Sequence, residues 1–483
     1  MNLELTPPVH KRAGARVVAD FWKRLLRPVA VNNDAPARAW ERIAVLLTAA
    51  AAAADGETRA RERISELLAF YTGSNDADKQ RLLERFCTDL NVDEQAVGRR
   101  IRQYTEAATP AARTAAEGQL VASLESPRQR VLQQFNLLPN GVHALVDLRA
   151  DLQRLGRGDA FLALEQDLLR LFRGWFDVGF LELKRIGWSA PASLLEKLIR
   201  YEAVHEIKSW SDLRNRLDSD RRCYAFFHGR MPDEPLIFVE VALVREVATN
   251  VQTLLDETQP TLAPEQATTA IFYSISNAQP GLRGVSMGEF LIKRVVQQLL
   301  VDHPRLKTFA TLSPIPGFAK WMEKRLADPA CRAALPAELR RLLDSAPTPA
   351  DAIYRALLQE VDGDLPRQPA LQAWLKAECA RYLLREKSGR LPLDPVGRFH
   401  FSNGACLGQI NWLADTSRRG LRQSFGLMVN YLYRLKEIEA NHQAYARDGS
   451  LAATSEVERL LEEGSTTRRR ATQPAGESKR KYE

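Results

Sequence analysis

The sequence is poor in the residues that disulfide, metal and nucleotide chemistry require. Its 5 cysteines (Cys87, Cys223, Cys331, Cys379 and Cys406) are scattered, odd in number and never spaced C-x-x-C, so neither a disulfide framework nor a zinc site is indicated. The 7 histidines form no H-x-x-x-H pair that would set two imidazoles on one helix face, which disfavours metal catalysis. Neither a G-x-G-x-x-G dinucleotide fingerprint nor the Gly-Lys-Ser/Thr ending of a P-loop is present. Long apolar runs are missing as well. The stretch Ala44 to Ala54 is mostly alanine and too short to span a bilayer, and the first thirty residues lack a signal-peptide core, so a cytoplasmic, soluble protein is expected.

Charge is in modest excess. Of a formal net +8, half falls in the last twenty residues, where Arg468, Arg469, Arg470, Lys479, Arg480 and Lys481 face only Glu477 and Glu483. The remainder suits binding of a phosphorylated small molecule better than coating of a nucleic acid backbone. Three segments follow from the patterning: 1–175, 176–446 and a polar basic tail, 447–483, that is expected to be disordered. Apolar residues from about Ala35 to Arg173 recur at helical spacing, as in Ile43, Leu46 and Leu47, or Leu145, Leu148 and Leu152. Asp76 reads as a helix N-cap, and Ser126 before Pro127 reads as a cap followed by a first-turn proline.

After Trp175 the character changes. Phe180 to Ile186, Cys223 to Phe227, Leu236 to Val244, Thr269 to Ser276 and Thr308 to Leu312 read as strands, and Ser193 to Ala203 as a helix. Between the last two strands Ile292, Val295, Val296, Leu299 and Leu300 keep helical spacing, which predicts a parallel strand pair with a helical crossover. Leu339 to Glu386 reads as helical, and a β-leaning segment begins near Gly397.

Three segments carry candidate chemistry. The first, Gln279-Pro280-Gly281-Leu282-Arg283-Gly284-Val285-Ser286-Met287-Gly288-Glu289, joins a strand to a helix, where free backbone N–H groups and the helix dipole can cradle phosphate oxygens. Most glycine-bearing turns of this kind bind nothing, so its neighbours decide its meaning. The second, Thr311-Leu312-Ser313-Pro314-Ile315-Pro316-Gly317-Phe318, places a serine on a proline-stiffened backbone past a parallel strand, where open α/β sheets present reactive groups. The third, Phe399 to Asp415 and on to Tyr433, gathers His400, Asn403, Cys406 and Tyr433 among apolar residues; Cys406 is better read as a buried hydrophobe than as a nucleophile.

Arg283-Gly284-Val285-Ser286-Met287-Gly288-Glu289-Phe290 resembles the pyrophosphate-binding loop of the GNAT acyltransferases, which opens the helix after the fourth strand, with Ser286 in place of the middle glycine. With Phe272-Tyr273-Ser274-Ile275-Ser276, Leu312-Ser313-Pro314-Ile315-Pro316-Gly317-Phe318, His400-x-x-Asn403-Gly404-Ala405 and Gly426-Leu427-Met428, it resembles the malonyl-CoA decarboxylases from about Phe180 to Leu435. The resemblance implies an α+β two-domain chain: an all-helical N-terminal bundle used for homo-oligomerisation (dimer or tetramer), then a GNAT-like mixed α/β catalytic domain.

It further implies that malonyl-CoA becomes acetyl-CoA and carbon dioxide without a cofactor, coenzyme A being part of the substrate. Ser313 and His400 match the family's catalytic pair and Tyr433 an active-site tyrosine. Arg283, Gly284, Val285, Ser286, Met287, Gly288, Glu289 and Asn403 are the candidate contacts to substrate. Ser286 stands where eukaryotic members carry a glutamate. On this reading His400, with an unperturbed pKa near 6.5, keeps a useful protonated fraction at neutrality. The alternatives are a GNAT-fold acetyltransferase and a helical scaffold or nucleic acid binder, which the basic tail suggests.

Overall fold

The computed structural model describes residues 36–52, 56–285, 287–364 and 366–462. The chain divides into two compact units: one reaching to Gly174 that also takes in Pro280–Leu282, and one beginning at Trp175. The first unit runs through helices Pro36–Ala52, Glu57–Gly73, Asp76–Thr88, Glu94–Thr105, Pro110–Leu124, Pro127–Gln134, Gly141–Leu155 and Leu162–Trp175, with no strand among its described residues. The periodic residues Ile43, Leu47, Ile64, Leu67, Leu145, Leu148 and Leu152 are all buried in its core.

Ser126 caps its helix as read, accepting from Gln129 N at 3.2 Å. The same serine donates to Asp167, whose carboxylate also holds the Arg128 guanidinium at 2.7 Å, so the cap is tied to a buried ion pair. At the third helix the cap lies one residue earlier than expected. Asn75, in an extended conformation, accepts from Asp78 N, and Asp76 begins the helix, where its charge meets the positive end of the dipole.

The second unit is built on an 8-stranded mixed sheet. Its first strands are β1 (Leu181–Ile186), β2 (Arg221–His228), β3 (Ile237–Val244), β4 (Thr269–Asn277), β5 (Thr308–Thr311) and β6 (Ser313–Pro314). After a two-residue hairpin, β7 (Lys387–Ser388) with β8 (Leu391–Pro392), come β9 (Cys406–Asn411) and β10 (Met428–Leu432). The sheet order is β1-β2-β3-β4-β5-β10-β6, with β9 on β10. Among the described strands, β4 and β5 form the parallel pair, from Thr269 opposite Thr308 to Phe272 opposite Thr311, and the helix Gly288–Asp302 is their crossover. This helix follows the fourth strand, as the resemblance implied. Strand β2 is buried along its whole length because both faces of the sheet are covered: Leu195 and Leu198 pack over Cys223 and Ala225, while Val251 and Leu254 pack with Ile271 and Leu312.

Two expectations are corrected. The segment beginning near Gly397 is not β-leaning: Pro395–Ser402 is a helix, capped by Asp394, which accepts from Gly397 N at 2.7 Å, with Pro395 in the first turn. The Asp-Pro pair is a helix start that outweighs the aromatic, β-favouring composition after it. The ordered chain also continues past Ala446. Helix Ile438–Asp448 ends at a left-handed Gly449, and the backbone then bonds along β9, Leu407 N to Ala452 O at 2.8 Å and Thr454 N to Leu407 O at 3.0 Å. Val457 is fully buried. Residues 463–483, with most of the basic tail, lie outside the described residues.

Burying a valine side chain is worth about 1.5–3 kcal/mol. Ending the chain after Asp448 should therefore lower Tm by about 4 °C or more in a calorimetric scan. An unchanged Tm would show that residues 449–462 add nothing to the fold.

Candidate active site

The site is built where the sheet opens. Strand β10 pairs with β5 at Leu432–Ala310 and with β6 at Val429–Ser313, but between these points the ladder is carried by side chains. Tyr431 N–H donates to Thr311 Oγ1 at 3.1 Å, and Asn430 Nδ2 donates to the Thr311 carbonyl at 2.7 Å. A register shift between Asn430 and Tyr431 on the β9 side marks the same place. Bulges of this kind re-aim side chains. Tyr431 and Tyr433, two residues apart, point from one face toward the helix that carries His400.

His400 is held from every side. Its Nε2 lies 3.0 Å from Ser313 Oγ and its Nδ1 2.8 Å from the Tyr433 hydroxyl. The ring stacks on Tyr431, with centroids 4.4 Å apart at an interplanar angle of 26°. The helix approaches β10 closely, because a Cβ on Gly397 would already sit 3.3 Å from the Tyr431 hydroxyl. Behind His400 the chain turns at Gly404, whose φ is +78° and whose Cβ, if present, would lie 2.1 Å from the Ile438 carbonyl oxygen. Only glycine fits there.

The site is buried, and that sets its electrostatics. Ser313 and His400 are 5% and 2% exposed. Burial alone pushes the His400 pKa down to about 3, and it pushes the Tyr433 phenol well above its usual value. The imidazole is therefore neutral in the free chain. In the free chain burial acts against the protonated fraction expected of an exposed imidazole, because no counter-charge offsets the loss of solvation. At the far end of the helix, burial pushes the Asp394 pKa up to about 6 despite the bond from Gly397 N.

Of the residues read from sequence, Ser313, His400 and Tyr433 come together. In the glycine-bearing loop, Arg283 and Gly284 are exposed, Val285 is half-buried and Met287 is buried, with its N–H on Val285 O at 2.9 Å. Helix Gly288–Asp302 begins there and packs against the His400 helix. Glu289 lies in its first turn, and Ser286 is outside the described residues. Gly284-Val285-Ser286-Met287-Gly288 also matches the sequence pattern G-x-S-x-G, but the serine paired with His400 is Ser313. The start of the candidate loop, Pro280–Leu282, belongs to the helical unit, where Arg149 donates to Gly281 O at 2.6 Å.

Comparison with known proteins gives the family. The profile of the malonyl-CoA decarboxylase C-terminal domain matches residues 179–471, and that of the N-terminal domain matches residues 90–176. The chain belongs to the malonyl-CoA decarboxylase family. It is a carboxy-lyase by that membership. Malonyl-CoA decarboxylase, mitochondrial, from Rattus norvegicus is 35% identical over 83% of this chain and 86% of its own length. Crystal structures of malonyl-CoA decarboxylases from Agrobacterium vitis and Rhodopseudomonas palustris are 40% and 39% identical, with TM-scores of 0.79 and 0.76. Each covers 87% of this chain and 99% of that one.

The cytoplasmic expectation rested on the shortness of the Ala44 to Ala54 stretch and on the first thirty residues, the latter outside the described residues; among the described ones, no helix is long and apolar enough to cross a membrane. Asn403, matched to the decarboxylase motif, has its amide NH2 on Phe399 O at 2.7 Å, leaving a buried Oδ1 without a partner. Sequence reading passed over Tyr431, Asp394 and Asn430. The first is legible from its two-residue spacing to Tyr433, and the second from its place before Pro395. Nothing local marks Asn430, whose role depends on the opened ladder.

The depressed His400 value fixes a pH dependence. The unfolded chain binds a proton there below about pH 6.5 and the folded chain only near 3, so stability is present above 6.5 and is lost as pH falls through this window. Between pH 6.5 and 5 the loss is about 2 kcal/mol. In urea titrations, His400→Gln should lose less stability than the parent over that interval. Equal losses would mean that the folded imidazole titrates normally.

Proposed function

We propose that the chain converts malonyl-CoA to acetyl-CoA and carbon dioxide, with Ser313 orienting the malonyl group, His400 protonating Cα and Tyr433 holding His400. The single supporting observation is the buried Ser313–His400–Tyr433 chain, with contacts of 3.0 and 2.8 Å. Decarboxylation breaks the bond between Cα and the carboxylate, and its electron pair moves into the thioester carbonyl to give an enolate. Pre-set hydrogen-bond donors in a water-poor pocket stabilise that oxyanion, about 3–4 kcal/mol for a single donor. Carbon dioxide leaves, and the enolate takes one proton at Cα.

The proton has to be found in a pocket whose imidazole is neutral. The substrate supplies the reason for its uptake, since an anionic carboxylate brought within about 4–6 Å favours the imidazolium. The proton consumed by the reaction thus enters with the substrate's charge and leaves on Cα. Arg283 and the loop amides that follow it take the pyrophosphate of coenzyme A, binding energy remote from the reacting bond. The helical unit serves as the oligomer surface; the hairpin of Glu94–Thr105 and Pro110–Leu124 supports this, since it leaves Ile101, Val121 and Leu124 exposed.

Carbon dioxide release from malonyl-CoA, with no amine present, is the direct test. His400→Gln should abolish turnover and Ser313→Ala should lower kcat by about 10²–10³, both with coenzyme A affinity retained. Normal turnover in His400→Gln would remove the imidazole from the mechanism. Release that required an added amine would favour the acetyltransferase instead.

Arg283→Ala should raise KM by about tenfold or more while kcat stays within about twofold. An unchanged KM would place the pyrophosphate elsewhere.

A further inference from the structure

We propose that Thr311 is a positioning residue that sets the direction of the hydrogen-bond chain through Ser313 and His400, and so chooses which imidazole nitrogen carries the proton. The inference rests on the reading that His400 delivers that proton. Thr311 closes β5 and is wholly buried. Its Oγ1 receives two donors: Tyr431 N–H at 3.1 Å and Ser313 Oγ at 2.8 Å. The first cannot reverse, because a backbone N–H only donates, and a hydroxyl oxygen has two lone pairs to offer. Both are occupied.

The consequence runs down the chain. A serine hydroxyl has one proton, and in the free chain that of Ser313 is given to Thr311. The contact of 3.0 Å between Ser313 Oγ and His400 Nε2 then needs its proton from the imidazole. Nε2 is the protonated nitrogen. Nδ1 is left bare, and the Tyr433 hydroxyl, 2.8 Å away, donates to it. Thr311 thus selects the tautomer without touching the ring. Replacing its hydroxyl by a methyl frees the Ser313 proton to turn toward Nε2, which reverses every bond in the series and leaves the nitrogen that faces Ser313 an acceptor.

The test combines kinetics with nitrogen-15 NMR of histidine-labelled protein, the His400 resonances being assigned by their loss in His400→Gln. The parent should show His400 protonated at Nε2. Thr311→Val should move the proton to Nδ1 and lower kcat by about 10²-fold with KM within about twofold, and Thr311→Ser, which keeps the hydroxyl, should restore both. Thr311→Val with parental kcat and tautomer overturns the proposal. So does a loss of kcat without a change of tautomer, which is what a merely structural role would give. If Thr311→Val does not fold, the parent tautomer decides alone, since a proton on Nδ1 contradicts the assigned direction. Parental turnover in Ser313→Ala and His400→Gln would sink the mechanism itself, whereas parental turnover in Thr311→Val beside two inactive variants sinks only the role of Thr311.

Discussion

A neutral imidazole, buried and bonded at both nitrogens, is the constraint on which the rest of the catalytic unit depends. Burying a polar group without partners costs several kcal/mol, so Ser313 and Tyr433 are needed for His400 to be there at all. Supplying them takes residues from three separate elements. Ser313 comes from β6 beyond the parallel pair, Tyr433 from just past the end of β10, and His400 from the last turn of a short helix. That helix is fixed at its start by Asp394 and at its end by the left-handed Gly404.

The opened ladder makes the convergence possible. If Tyr431 N–H had bonded a main-chain carbonyl, β10 would continue as an ordinary strand beside β5 and β6. Instead Thr311 Oγ1 and Asn430 Nδ2 satisfy the backbone groups that the opening strands. Two side chains complete the sheet's hydrogen bonding, and one of them also receives the serine proton. The local geometry of the sheet and the protonation state of the site are therefore set by the same hydroxyl.

How much of this was legible in the sequence depends on whether the information is local. The helices of the first unit follow from their periodicity and strands β1 to β5 from their β-rich runs, because each of these signals is carried by neighbouring residues. Asp394-Pro395 was equally local and was outvoted by the aromatic residues that follow, which led to the β-leaning reading of a helix. The convergence of Ser313 and His400, 87 residues apart, is not a property of either segment; it was reached through resemblance, and the distance of 3.0 Å comes from the fold. The pKa of His400 was the furthest from reach, since an unperturbed value near 6.5 describes a solvated ring and this one is buried.

That electrostatic setting also separates the proposed decarboxylation from acyl transfer to an amine. An acetyltransferase must draw a proton from an attacking amine, which calls for a base with a pKa near the working pH. An imidazole held near 3 is a poor base of that kind, and raising it requires an anion beside it. Malonyl-CoA brings such an anion in the group it is about to lose, whereas acetyl-CoA and an amine bring none. The same desolvation that disables His400 as a base toward an amine makes it responsive to a carboxylate. In the proposed mechanism the negative charge passes to the enolate when carbon dioxide leaves, and transfer of the imidazolium proton to Cα cancels both charges and returns the ring to the neutral form that its burial favours.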